Sequence, residues 1–318
     1  MKIDIFSHIV PKKYKDALVK KTRIDLSDSV SWVVNNRAIY DVDIRLRLVD
    51  RNPEVLQVLV PALAPLEVYA SKADAVDLAK LNNDESAELV AKYPNKFLAA
   101  VALLPLNDID ASQKEAERAI TKLKMRGILI HSNINGEPLD LPKFKPLYVQ
   151  MAKYDLPIWI HPWYLPVTHS PLAKDIPEPI HQYFKREMIG SIQWPVDTSF
   201  AMIRLVYSGI FKEYPNIKFI THHCGGVIPF CYGRMGELED LRKFYNDTAL
   251  RDAPGALMCG YSFFGADHLL FGTDMPCGSE PYGLTGVTIR MIEQLDIPVS
   301  DKEKIFERNA LRLLKIGI

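Results

Sequence analysis

The sequence predicts an α/β chain folded as one (β/α)8 barrel across residues 1–318, with a small cap-like insertion after the first strand at about residues 11–42. Three observations carry this expectation. Short apolar runs alternate with longer amphipathic segments, the pattern of a parallel sheet whose strands are joined by crossover helices. A chain of 318 residues suits a barrel that folds as one unit with insertions. Ligand-type side chains follow several of the apolar runs, where barrel enzymes place their active sites.

The candidate strands are residues 2–5, 56–60, 97–103, 127–130, 158–160, 218–221, 256–259 and 269–271. Most are rich in Ile, Val, Leu or Phe, which suit strands buried on both faces. Between them, apolar residues recur at helical spacing over 111–124, 146–154 and 198–214. Ser300 followed by Glu303 reads as a capping box that opens a last helix running to about Leu314. The insertion is rich in Lys, Ser, Asp and Asn and lies where barrels often build a cap over the site. A second, proline-rich excursion spans 162–195.

Composition excludes several function classes. Lys and Arg total 39 against 39 Asp and Glu, with no basic block or aromatic-basic stripe, so a nucleic-acid partner is not expected. Cys224, Cys231, Cys259 and Cys277 show no CxxC spacing, which argues against a zinc ribbon or a disulfide framework and fits reduced thiols in cytoplasm. The opening MKIDIFSHIVP has no leader pattern, and no apolar run is long enough to span a membrane.

The chemistry concentrates at strand ends. His8 follows the first strand, His161 closes the fifth, His222 and His223 follow the sixth, and Asp274 follows the eighth. Taken singly, each has an ordinary structural explanation: a hydrogen-bonded imidazole, or an Asp capping a helix. Four strand ends each delivering such a side chain point instead to a polar catalytic centre. Imidazole nitrogens with one carboxylate suit zinc or a similar divalent metal, and three protein ligands with an open position describe a catalytic site. His131 and Asn133, after the fourth strand, face the same mouth without an assignable role.

Six segments together make a resemblance: IDIFSHIVP, GILIHSNINGEPLD, WIHPW, HHCGGVIPFCYGRM, LLFGTDMP and RNALRLL. In order and spacing they resemble the amidohydrolase superfamily, in the branch of α-amino-β-carboxymuconate-ε-semialdehyde decarboxylase and related aromatic acid decarboxylases. The resemblance implies that His161 and Asp274 bind metal and that His223 acts in proton transfer, with Asp274 as the other catalytic group. His8 completes the ligand candidates. The branch usually opens with His-x-His or Glu-x-His, whereas this chain reads Phe6-Ser7-His8. Phe6 cannot ligate, so the resemblance implies a thinner ligand set or recruitment of another residue.

The same resemblance implies a metal-dependent, non-oxidative decarboxylase (a carbon–carbon lyase) acting on a small unsaturated or aromatic carboxylic acid, with zinc as the expected ion and manganese as the alternative. Arg45 and Arg234 match segments that hold a substrate carboxylate, Arg234 by reaching a neighbouring subunit, which implies a homodimer. The planar guanidinium fork suits that task. Trp163 and Trp194 are candidates for stacking on a planar substrate. Two rivals are a hydrolase or hydratase built on the same metal, and a barrel that has lost its chemistry and serves as a binding protein.

Overall fold

The computed structural model describes residues 1–22, 36–62, 65–163, 189–236, 238–277 and 284–317. Eight parallel strands form its centre: β1 (Lys2–Ile9), β2 (Val55–Pro61), β3 (Phe97–Ala100), β4 (Ile128–His131), β5 (Ile158–His161), β6 (Phe219–Thr221), β7 (Tyr245–Asp247) and β8 (Leu269–Leu270). Continuous ladders join β1-β2-β3 and β4-β5-β6-β7-β8. Two seams close the ring in chain order. Ala102 pairs with Ile128 and Ser7 with Met275, and the Ile5 amide donates to the Phe271 carbonyl at 2.8 Å.

The expected seventh strand is wrong. Residues 256–259 lie inside the helix Pro254–Phe264, and the strand is Tyr245–Asp247. Leu257, Gly260, Phe263 and Phe264 are the buried residues of that helix, at helical spacing, and Pro254 stands in its first turn. The true strand is polar because its side chains bond inside the barrel. Thr221 Oγ1 donates to Asn246 Oδ1 at 2.5 Å, and Thr248 Oγ1 to the Gly272 carbonyl at 3.1 Å.

Ile3, Ile5, Val58, Val60, Val101, Leu129, Trp159, Ile220 and Leu270 fill the interior, floored by Ala310, Leu313 and Leu314 of the last helix. Trp159 donates its indole N–H across the barrel to the Ile5 carbonyl at 3.1 Å. Around the ring, the helices Lys72–Lys92, Ile109–Thr121, Lys145–Tyr154 and Trp194–Tyr207 bury their apolar stripes against the outer faces of the strands. The helix expected over 198–214 is two helices, Trp194–Tyr207 and Ile210–Glu213, broken at Gly209, whose φ of 75° suits glycine. The closing helical run begins at Val299 after Pro298 with no side-chain cap, so the expected capping box at Ser300 does not form.

Residues 23–35 of the cap-like insertion and 164–188 of the second excursion lie outside the described residues. The described start of the insertion is the helix Lys12–Thr22, which buries Tyr14 and Leu18 in a second apolar cluster with Ile39, Leu66, Leu78, Leu103 and Trp163. Glu85 fixes its start by accepting the amides of Lys13 and Tyr14, both at 3.1 Å. No described helix is long and apolar enough to cross a membrane.

Beside this cluster, burial raises the Glu67 carboxyl to about 8 from its ordinary 4.5. Between those values the folded chain keeps a proton that the unfolded chain has released. Its contribution to stability is therefore complete below about 4.5 and declines as pH rises through about 8. The slope is at most about 1.4 kcal/mol per pH unit for one proton. Glu67→Gln should flatten this decline and raise the urea midpoint at pH 8 relative to the parent while changing little at pH 4.5. A parent and variant with parallel pH profiles would refute the assignment.

Candidate active site

The site is built where five strand ends meet. In β1, Asp4 pairs with Gln57 and Ser7 with Leu59, so β1 carries one extra residue between them. This bulge turns Ile5 and Phe6 into the same interior cluster and sets the direction in which His8 leaves the strand. Asp4, fully buried, ties the bulge to the β8 end by accepting Ser7 Oγ at 2.7 Å and Thr273 Oγ1 at 2.6 Å.

His161 at the end of β5 donates Nδ1–H to the Pro162 carbonyl at 2.7 Å, which leaves Nε2 as its free lone pair. After β6 the chain enters a left-handed turn, with positive φ at His223, Cys224, Gly225 and Gly226. That turn sets the rings of His222 and His223 side by side, 3.8 Å between centroids. Asp274, itself at a φ of 60°, brings Oδ1 to 3.3 Å from His8 Nε2 and 3.4 Å from His222 Nε2. Non-glycine residues in this region store strain of about 1–3 kcal/mol each, tolerated where a site requires it.

His8, His161 and His222 offer ligand atoms within 4.8 Å of one another, and so do His222, His223 and Asp274. Three imidazoles and a carboxylate form a donor set that fits a divalent ion. Burial opposes charge on His222, but Asp247 and Asp274 outweigh it and raise that imidazole to about 9. Burial likewise opposes ionisation of Asp274, yet His222 and His8 hold its carboxyl well below the usual range. Burial, followed by the charge of His222, pushes His223 down to about 3, and burial takes His131 to about 3.

The other sequence candidates divide by depth. Trp194 lies against the centre, its ring 6.3 Å from His223 in a stacked arrangement and 5.8 Å from His161. Trp163 is buried, its amide donating to Ser132 Oγ at 2.8 Å and Asp197 Oδ2 at 3.1 Å. Burial raises Asp197 to about 7. Arg45 is buried, 1% exposed, with Nη1 donating to the His8 carbonyl at 2.5 Å and Nε to Gln57 Oε1 at 3.1 Å. Arg234 is exposed on the surface. His131 packs edge-on to His161 and Trp163, each 5.9 Å away.

Sequence reasoning missed Asp247. It is fully buried, accepts His222 Nδ1 on one oxygen and takes the Ala249 amide at 3.0 Å on the other. The overlooked signal was the Asn-Asp-Thr run between β6 and β8, in the stretch where a barrel must place a strand.

A family model described as amidohydrolase matches residues 10–316. Among curated relatives, the chain is 27% identical to the 2-amino-3-carboxymuconate-6-semialdehyde decarboxylase of Dictyostelium discoideum, over 99% of this chain and 91% of the relative. It is 27% identical to a gamma-resorcylate decarboxylase of a Rhizobium species, over 90% of each chain. The crystal structure of a dihydroxybenzoic acid decarboxylase from a Polaromonas species, with bound manganese and the inhibitor 2-nitroresorcinol, superposes with a TM-score of 0.81 at 23% identity, covering 99% of this chain and 97% of that one. Its neighbours confirm the barrel, and with nearly its whole length matched by the family model, the chain belongs to the amidohydrolase family.

Proposed function

We propose that this chain is a metal-dependent decarboxylase that removes carbon dioxide from a small aromatic or unsaturated carboxylic acid. The observation that carries the reading is the cluster in which His8 and His161 share one set of neighbouring donor atoms and Asp274 Oδ1 lies 3.3 Å from His8 Nε2, with a neutral imidazole, His223, in the adjoining set with Asp274. The full-length relatives named as decarboxylases support it. His8, His161 and Asp274 would hold the ion, manganese or zinc, which when bound supplies a Lewis acid that orients the carboxylate and a neighbouring oxygen.

The chain's own groups do the rest. Losing carbon dioxide leaves the bond's electron pair on carbon, and one proton must arrive there for each carbon dioxide released. Asp274, held strongly ionised, is a poor carrier. His223 is the better placed group: its ring lies 3.8 Å from His222 and its Nδ1 is buried with no hydrogen-bond partner among the described residues, open to a reacting group that needs a proton. Trp194, its ring 6.3 Å from that of His223, offers a flat face to a planar substrate.

A homodimer belongs to the same reading. Phe230 is 86% exposed and Tyr232 stands half out of the surface, two exposed aromatic residues in the same segment as Arg234, suited to a second copy that receives this arginine at its site. A cytoplasmic location is supported by four cysteines without disulfides.

The test supplies manganese-loaded or zinc-loaded protein with carboxyl-13C-labelled hydroxybenzoates and unsaturated dicarboxylates. Turnover should release labelled carbon dioxide and a product one carboxyl smaller. Consumption of substrate with gain of water and no labelled gas would replace the lyase by the hydrolase or hydratase reading. Metal-free, inactive protein that still binds these acids would favour a binding protein.

A further inference from the structure

Phe6 lies among the imidazoles and has no donor to give. It is fully buried, its ring 5.3 Å from His8 and 6.1 Å from His161, and it stacks face to face on His222 at 4.0 Å with 16° between planes. The β1 position two residues before His8 is thus apolar, and the imidazole pressed against it follows β6.

His222 is oriented from both sides. Its Nδ1–H is taken by Asp247, whose other oxygen is fixed by the Ala249 amide, and its opposite face is covered by Phe6. A carboxylate on Nδ1 sets the tautomer and turns the Nε2 lone pair inward, the arrangement usual for a metal-bound imidazole. That Nε2 faces the Asp274 oxygen that His8 Nε2 also faces, at 3.4 and 3.3 Å. The ring centroids of His8, His161 and His222 are 5.1 to 5.7 Å apart, three rings around one point.

We infer that His222 is a metal ligand of this centre, supplying from β6 the donor that Phe6 cannot supply from β1, and that Asp247 is the positioning residue holding its ring. The inference rests on the site being a metal centre. The alternative assignment for His222 is a purely structural link between Asp247 and Asp274.

Apoprotein titrated with Mn²⁺ and followed by electron paramagnetic resonance separates the two. The parent should bind one ion per chain, and pulsed spectra should show three imidazole nitrogens. His222→Ala should weaken Mn²⁺ binding by about 100-fold or more and show two nitrogens, while Asp247→Asn should weaken it by about 10–100-fold. In the double variant Phe6→His/His222→Ala, an imidazole returned to β1 should recover a third nitrogen. Circular dichroism of each apoprotein checks that the fold is kept. Parent affinity within about threefold in folded His222→Ala, or only two nitrogens in the parent, overturns the inference and leaves the metal centre standing. A parent that binds no Mn²⁺ or Zn²⁺ overturns the metal reading itself.

Discussion

Replacing His223 by Ala should lower kcat by about 10²–10⁴-fold, the range of a lost proton-transfer group, without releasing the metal. The expectation follows from its place beside the centre. Its ring touches His222 at 3.8 Å and lies 6.3 Å from Trp194, and its Nδ1 is buried with no hydrogen-bond partner among the described residues, free for a reacting group. Adding imidazole to His223→Ala should restore part of kcat, and KM should change less than kcat, because the group acts on the reacting carbon and does not anchor the substrate. His222→Ala is the contrasting variant: there the metal leaves as well. Single-turnover release of labelled carbon dioxide, measured with the metal content of the same sample, distinguishes them. A His223→Ala enzyme with kcat within about threefold of the parent would remove His223 from proton transfer.

The contrast between these two neighbours shows where sequence reading stops. His8, His161 and Asp274 could be named as candidates from sequence because each follows an apolar run, where a barrel turns side chains into its mouth, and each has ligand chemistry. The resemblance chose His223 over His222 by its spacing to Gly226 and Pro229, but spacing does not show that a left-handed turn of four residues sets both rings side by side. Knowing that Asp247 grips His222 required β7, and β7 was hidden by its own polarity. Tyr-Asn-Asp-Thr looks like loop until its hydrogen bonds into the barrel are seen, whereas the apolar 256–259 run looks like strand until its helical burial spacing is seen. Arg45 was named by resemblance and for its guanidinium chemistry, and sequence carries no measure of its depth. Its guanidinium is 1% exposed and bonds the His8 carbonyl, so it holds the end of β1.

The same left-handed turn makes Gly226→Ala the most damaging small substitution expected in the site. Gly226 has a φ of 65°, and a Cβ there would lie 2.0 Å from the Pro195 carbonyl oxygen and 2.6 Å from Ser199 Oγ. Neither neighbour can yield cheaply. Pro195 is in the first turn of the helix that begins at Trp194, and Ser199 Oγ donates to the Pro195 carbonyl at 2.8 Å while accepting the Val227 amide at 2.9 Å. The turn and the helix must therefore separate, at a cost of roughly 3–5 kcal/mol from backbone strain and overpacking together. Separation also pulls Trp194 away from His223, so kcat should fall even at temperatures where the variant stays folded. Gly255→Ala is the control, since its Cβ would meet nothing within 4 Å and it stands at the start of the helix Pro254–Phe264. It should lie within about 1 kcal/mol of the parent, on the stabilising side, with kcat unchanged. Urea unfolding of both variants, paired with initial rates, tests the pairing of turn and helix. Equal midpoints for the two variants would mean that the contact between the β6 turn and the Trp194 helix does not hold the site together.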